Sequence, residues 1–397
     1  MFDIRANHDT GVSRYGLSLL GAAAPYAIDA GWRLIAVAWP RQESQALRAV
    51  DQLGVPVLAC PDDHGFIRDS PWLRAQLRRH EANLYYTAHY AVDRRCPVPF
   101  VYTIHDLTRL RYPALSYSDA AFAERFGHDE LDAARHELAV LSDGSQPGSG
   151  PVFSRYFSSL NHHLAERARR IVTVSRSTAA DIRRLLGVSD ARVDLVPGGV
   201  DDAVFRPRDS REVWAAAARH GLHGPYVLYA GLVHPSKRLE WLLERLVEAR
   251  ATFPAGAQVV VAGGHAEKSA PVRDIVARGQ AENFVVFAGR VDDDELAALY
   301  TGASAYVTAT VSEGFGLPML EARACGTHVI CTDIPVLRET LAWTAHFYQP
   351  DDTSRLAGLV REALNGQLSQ VPARRPLPFD WESSGTLLVR ALARAMT

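Results

Sequence analysis

Two hydrophobic patterns alternate along the 397 residues of this chain. One is a short run of β-branched and aromatic residues: "RLIAVAW", "PFVYTIH", "RIVTVS", "RVDLVPG", "YVLYAG", "AQVVVAG", "NFVVFAG", "AYVTAT" and "HVICTD". These runs lack strict apolar–polar alternation, as do strands covered on both faces. The other pattern has helical spacing, as in "STAADIRRLLG" and "RLEWLLERLVEARATF". Their alternation predicts an α/β architecture with parallel sheets. Its regularity after residue 220 argues against an α+β arrangement.

The alternation falls into two sub-patterns. One ends at "VPGGVDDAVFRP" and the other begins near "GPYVLYAG". The expected domains are residues 1–205 and 206–379. Residues 380–397, an amphipathic helix after "FDWE", are expected to cross back to the first domain as part of a hinge. "RPRDSREVWAAAARHGLHGP" is a proline- and glycine-bounded helix that also reads as a hinge region. Residues 117–160 are helix-prone up to "SDGSQPGSGP", which reads as a flexible loop. An acceptor lid and a disordered surface insertion are both open for this segment.

The length suits two cores rather than one. Hydrophobic residues make up 47% and charged residues 22%, which excludes disordered and fibrous classes. The net charge of -2 argues against a nucleic-acid partner, so an anionic ligand would have to be met by local donors. The four cysteines, Cys60, Cys96, Cys325 and Cys331, form no C-x-x-C, which predicts a reducing compartment and no zinc site. There is no signal-peptide h-region and no run near the ~18 apolar residues of a membrane span. A cytoplasmic protein is therefore expected, as a monomer or weak dimer. "RAQLRRH" and "RARR" read as solvated helix faces and leave a peripheral membrane contact open.

The stretch richest in chemistry is "SEGFGLPMLEARACGTHVI", residues 312–330. "AYVTATV" predicts a strand and "PMLEARAC" a helix, with Pro318 at the first helical position and Gly326 at the end. "EGFGL" is then the strand-to-helix turn. Its amides, around Phe315 to Leu317, have no carbonyl partners within the helix and carry the positive end of the helix dipole, which suits an anion such as phosphate. Glu313 and Glu321 flank that seat, and each carboxylate can accept from hydroxyls. Ordinary helix-start grammar explains each part alone, since acidic residues in a first turn stabilise it by ~0.3–1 kcal/mol.

Taken whole, "SEGFGLPMLEARACGTHVICTDIPVLRET" resembles the E-x7-E signature of retaining glycosyltransferase family 4, which has the GT-B architecture. "TGVSRYGLSLL", "YTIHDL", "VTVSRSTAADI", "VPGGVDDAVFRP", "YAGLVHPSKRLEWLLE", "GRVDDDELAALY" and "FDWESS" resemble the same family in the same order. Only residues 117–160 stand outside the resemblance. It implies two Rossmann-like domains whose parallel sheets face a central cleft. The C-terminal half would bind a nucleoside-diphosphate sugar, with UDP or GDP the expected nucleotide, and the N-terminal half would bind the acceptor. Glu321 would hold ribose hydroxyls and Glu313 the transferred sugar. Gly314 and the amides of Phe315, Gly316 and Leu317 would sit by the sugar and phosphate. Lys237 would meet the diphosphate as a point charge. Arg290 and Val291 would offer main-chain groups to the base, and the turn at Gly263 to His265 would line the cleft. His105 would reach the transferred sugar, with Asp106 capping the following turn. In the first loop, Gly11 would allow close approach. Ser13, Arg14 and Tyr15 would face the acceptor or diphosphate, although a plain helix cap explains them equally. One departure is Leu232, where many members carry arginine; Arg238 or Arg14 would have to compensate.

The chemistry implied is leaving-group stabilisation by fixed cations and amides, with no metal and no cofactor. "VDDDEL" reads as a helix-start acidic run and "PDDH" and "PDDT" as turns. No obvious nucleophile is present for double displacement, and the resemblance implies front-face attack with retention. Small-molecule, glycan and lipid-linked acceptors all fit. An epimerase would need a general base, and a phosphorylase a second phosphate seat. A non-catalytic nucleotide-sugar-binding protein is the remaining alternative. An NAD-dependent dehydrogenase is disfavoured, because no G-x-G-x-x-G follows the first strand.

Overall fold

The computed structural model describes residues 1–5, 11–39, 50–61, 70–90, 92–142, 150–264, 266–342, 344–369 and 379–397. The chain divides into two compact units, Met1–Gly199 with Phe379–Thr397, and Val200–Pro378. The division falls a few residues before the expected 205/206 boundary.

The first unit holds a seven-stranded parallel sheet in the order β3-β2-β1-β4-β5-β6-β7. Its strands are β1 Phe2–Asp3, β2 Ala36–Ala38, β3 Val57–Ala59, β4 Tyr85–Thr87, β5 Phe100–Ile104, β6 Arg170–Thr173 and β7 Val193–Leu195. The order reverses between β1 and β4, the doubly wound arrangement of a Rossmann-like domain. Phe100 and Tyr102 on β5 pack into a buried cluster with Leu73, Leu77 and Ile182.

The structure corrects the reading of this segment as a disordered insertion over residues 117–142 and 150–160. Helices Asp119–Phe126 and His128–Leu141 pack against helix Val152–Arg167. Phe122 stacks on Phe153 at 4.6 Å between ring centroids, and Leu131, Leu138, Phe157 and Leu160 join the cluster around β5. These helices are part of the first unit's core. Residues 143–149 of the expected loop lie outside the described residues.

The helix Trp381–Met396 packs along the helix Gly11–Asp29. Gly385 sits there because a Cβ would lie 2.5 Å from the Ala22 carbonyl. Asp380 caps the helix by accepting from the Ser383 amide at 2.7 Å.

The second unit holds a six-stranded parallel sheet in the order β10-β9-β8-β11-β12-β13. Here β8 is Tyr226–Ala230, β9 Gln258–Ala262, β10 Val285–Gly289, β11 Ala305–Val307, β12 Val329–Thr332 and β13 His346–Tyr348. Its order reverses between β8 and β11, so the loops leaving these two strands flank the switch point where such sheets take ligands. The "RPRDSREVWAAAARHGLHGP" segment belongs to this unit and is no loose hinge. Helix Ser210–Arg219 opens with a capping box between Asp209 and Glu212, and Arg208 ties it to Asp294 at 2.6 Å. "VDDDEL" starts a helix as expected, with Asp292 accepting from the Glu295 amide at 2.8 Å. "PDDT" also caps a helix, Thr353–Leu364, through Asp352.

At the amino ends of β12 and β13, His346 Nε2 lies 3.3 Å from His328 Nδ1, with Arg323 and Arg355 nearby. Burial, then His328 and the two arginines, lowers the His346 pKa to about 4. The folded state therefore holds neutral imidazole, while the unfolded chain takes up a proton near the ordinary value. Stability is present above about pH 6.5 and is lost progressively as pH falls toward 4. Thermal unfolding across that range is expected to show the loss, and His346→Gln to flatten it; an equally steep fall in the variant would contradict this.

Candidate functional site

The turn after β8 and the loop after β11 are sewn together by backbone bonds. His234 caps the short helix Pro235–Lys237, accepting from the Ser236 amide at 3.2 Å. The Ser236 carbonyl accepts from the Val311 amide at 3.0 Å and from Thr310 Oγ1 at 3.2 Å. This stitch brings Lys237 and Glu313 together, with Nζ 2.6 Å from Oε1. The glutamate side chain is only 9% exposed and the lysine 29%. Each was expected to touch the donor; their pairing was not.

The helix after this loop is Leu317–Ala324. Gly316 caps its start at φ 92°, a left-handed conformation that glycine adopts without strain. A Cβ there would also lie 3.0 Å from Leu337 Cδ2. Pro318 occupies the second helical position, one later than expected. Among the described residues, the amides of Gly316 and Leu317 find no acceptor, as helix geometry requires of a first turn. Glu321 lies one turn in and is buried, as is Phe315; Gly314 is half-buried. Tyr306 on β11 donates to the Ala230 carbonyl at 3.1 Å. Its phenol pKa is pushed well above the ordinary value, by burial first and then by neighbours including Glu313 and Glu321. Both carboxylates thus act on Tyr306, a residue of β11 beside the switch point.

Arg238, the expected stand-in for the arginine absent at Leu232, is paired here with Asp351 and Trp241. It stands at φ 52°, its guanidinium lies 2.5 Å from Asp351, and it stacks over Trp241 at 4.4 Å. Leu232 is exposed, and its carbonyl accepts from Tyr229 Oη at 3.0 Å.

Three glycines follow three adjacent strands. Gly231 follows β8 and Gly263 follows β9, while Gly289 closes β10; all have positive φ. A Cβ on Gly263 would lie 2.2 Å from the Gly231 carbonyl, so side chains are excluded from this edge. Arg290 beyond it is exposed and Val291 half-buried. His265 lies outside the described residues.

In the first unit, His105 Nε2 donates to the Ala88 carbonyl at 2.8 Å. A carbonyl only accepts, so Nε2 carries the proton and Nδ1 keeps its lone pair. Burial lowers the imidazole pKa against opposing effects from that bond and from Asp106, so the ring is neutral at pH 7. Tyr15 packs its ring edge on His105 at 4.8 Å and donates to the Val196 carbonyl at 2.9 Å. It supports His105 from the core, which corrects its expected place facing a ligand. Ser13 is also buried and Arg14 half-buried, while Gly11 is the exposed first residue of its helix. Asp106 accepts from the Thr108 amide at 2.9 Å, a local cap as expected.

Sequence reasoning missed one buried charge cluster. Asp3 closes β1 and Arg5 lies two residues beyond it, and each is 1% exposed. Arg5 Nη2 meets Asp3 Oδ2 at 2.6 Å, Arg5 Nη1 meets Cys60 Sγ at 3.0 Å, and Tyr85 Oη donates to Asp3 at 2.5 Å. Burial works against the Arg5 charge, but Asp3 outweighs it and raises the pKa. A D-x-R pair at a strand end was the only signal available.

Two family models match this chain: "Glycosyltransferase Family 4" over residues 22–204 and "Glycosyl transferases group 1" over residues 224–365. A D-inositol 3-phosphate glycosyltransferase from Frankia alni is 30% identical over 328 residues, covering 77% of this chain and 71% of that protein. The chain belongs to glycosyltransferase family 4. Another family relative is the O-antigen chain mannosyltransferase B of Escherichia coli, 26% identical over 247 residues. That match covers 60% of this chain and 64% of the relative, so the chain spans less than two thirds of the relative's length. Among solved structures, Anabaena Alr3699/HepE in complex with UDP and glucose matches with a TM-score of 0.67 at 16% identity, covering 99% of this chain and 98% of that one. The family fold is GT-B, with two parallel-sheet α/β domains. Among the described residues, no helix is long and apolar enough to cross a membrane.

Proposed function

We propose that this protein transfers a sugar from a nucleoside-diphosphate sugar, UDP- or GDP-linked, to an acceptor hydroxyl, with retention at the anomeric carbon and without a metal. One observation carries this reading: Lys237 and Glu313 meet at 2.6 Å at the switch point between β8 and β11, beside the first-turn amides of the helix Leu317–Ala324. The ammonium and the amides supply fixed positive charge where a leaving diphosphate develops negative charge. Glu313 and Glu321 supply acceptors for sugar and ribose hydroxyls. The family resemblance gives His105 a contact to the transferred sugar. A neutral ring with its lone pair on Nδ1 suits a hydroxyl donor there. The acceptor belongs to the first unit on the same resemblance, and the working location is the cytoplasm.

Incubation with UDP- and GDP-sugars and a panel of polyol and oligosaccharide acceptors tests the reading. Expected are nucleotide release, unchanged turnover in EDTA, and a product whose anomeric configuration by NMR equals the donor's. An inverted anomeric centre, or activity abolished by EDTA, would contradict it.

A further inference from the structure

Glu313 has a second consequence, which rests on the reading above. Lys237 stands in the turn after β8 at this switch point, yet its ammonium is already in contact with a carboxylate that is 9% exposed. A diphosphate reaching for Lys237 therefore approaches Glu313 within the same contact shell. In a partly buried site that like-charge approach is costly, because screening is weak. A bound sugar changes the balance: its hydroxyls donate to Glu313 and spread its charge, while a nucleoside diphosphate has no such donors at that end.

We propose that Glu313 makes the site discriminate between the intact sugar nucleotide and its nucleoside diphosphate product. The carboxylate penalises the bare diphosphate and tolerates the glycosylated one. After transfer the same repulsion, with Glu313 again sole partner to Lys237, speeds product departure. This is specificity by a repulsive element placed against the wrong ligand. The stitch through Ser236, Thr310 and Val311 ties the two loops together, so Lys237 and Glu313 project from neighbouring backbone positions.

Calorimetric titration of the full chain with UDP, GDP, ADP and dTDP tests this. Glu313→Gln keeps the side-chain size and removes the charge. The variant is expected to bind the preferred diphosphate about tenfold tighter than wild type, the scale of one charge contact. With Lys237→Gln also present, the gain from Glu313→Gln is expected to shrink, because the freed ammonium is part of the effect. On wild type alone, the intact sugar nucleotide is expected to bind more tightly than its own diphosphate, a measurement that needs no variant. Equal or weaker diphosphate binding by Glu313→Gln overturns the inference and leaves the proposed function standing, as does a wild type that prefers the bare diphosphate. Failure of wild type to bind either the four diphosphates or their sugar nucleotides overturns both.

Discussion

Replacing Lys237 by methionine is expected to lower kcat/KM for sugar transfer by about 10²- to 10³-fold, the range for removing one preorganised charge at a leaving group or oxyanion. Methionine keeps most of the aliphatic stem and removes only the ammonium. Arg238 is engaged with Asp351 and Trp241, away from the Lys237–Glu313 pair. The substitution leaves Glu313 in its low-exposure position without its cation. That costs stability by about 1–3 kcal/mol, so a thermal melt must accompany the kinetics. A folded variant that keeps more than about a tenth of wild-type kcat/KM would contradict the role given to Lys237, because the lower bound of that range is a hundredfold loss.

The largest effect on stability is expected from Asp3→Ala. The substitution leaves the Arg5 guanidinium in the core without its carboxylate, and Tyr85 without its acceptor on Asp3. Removing one partner of a buried pair costs about 3–5 kcal/mol, more than either a surface pair or a single hydrogen bond. For a unit of this size the melting temperature of the first unit should fall by on the order of 10 °C. Replacing both charges, Asp3→Leu with Arg5→Met, should recover much of the loss, because no unpaired charge is then buried. A single variant melting within about 2 °C of wild type would show that the pair is dispensable.

The parts of the fold that were legible share a physical reason. The strands "YVLYAG" and "AQVVVAG" are internal to their sheet and buried on both faces, so they read as unbroken apolar runs. β3, β4 and β13 were passed over, although they are no shorter than β2, β7 and β11, which were read; length does not separate the two groups. The turn at Gly316 was legible because a left-handed residue before a proline-started helix leaves few choices but glycine. The Lys237–Glu313 contact was not legible, because it depends on β8 and β11 being neighbours although β9 and β10 lie between them in sequence. Tyr15 looked like a ligand contact from its motif; only packing shows it beneath His105. Cys60 looked like an isolated thiol until the sheet brought it to Arg5. The helix-prone character of residues 117–142 was legible, but not that these helices join the core, which depends on packing around β5.

The central claim is that the diphosphate of the donor sits on the first-turn amides beside Lys237. A crystal structure of the full chain with its preferred nucleoside diphosphate, grown in EDTA, tests it most directly. The account predicts phosphate oxygens within hydrogen-bond distance of the Gly316 or Leu317 nitrogen and of Lys237 Nζ. A diphosphate bound away from that turn, or one that appears there only when a divalent ion is supplied, would contradict it.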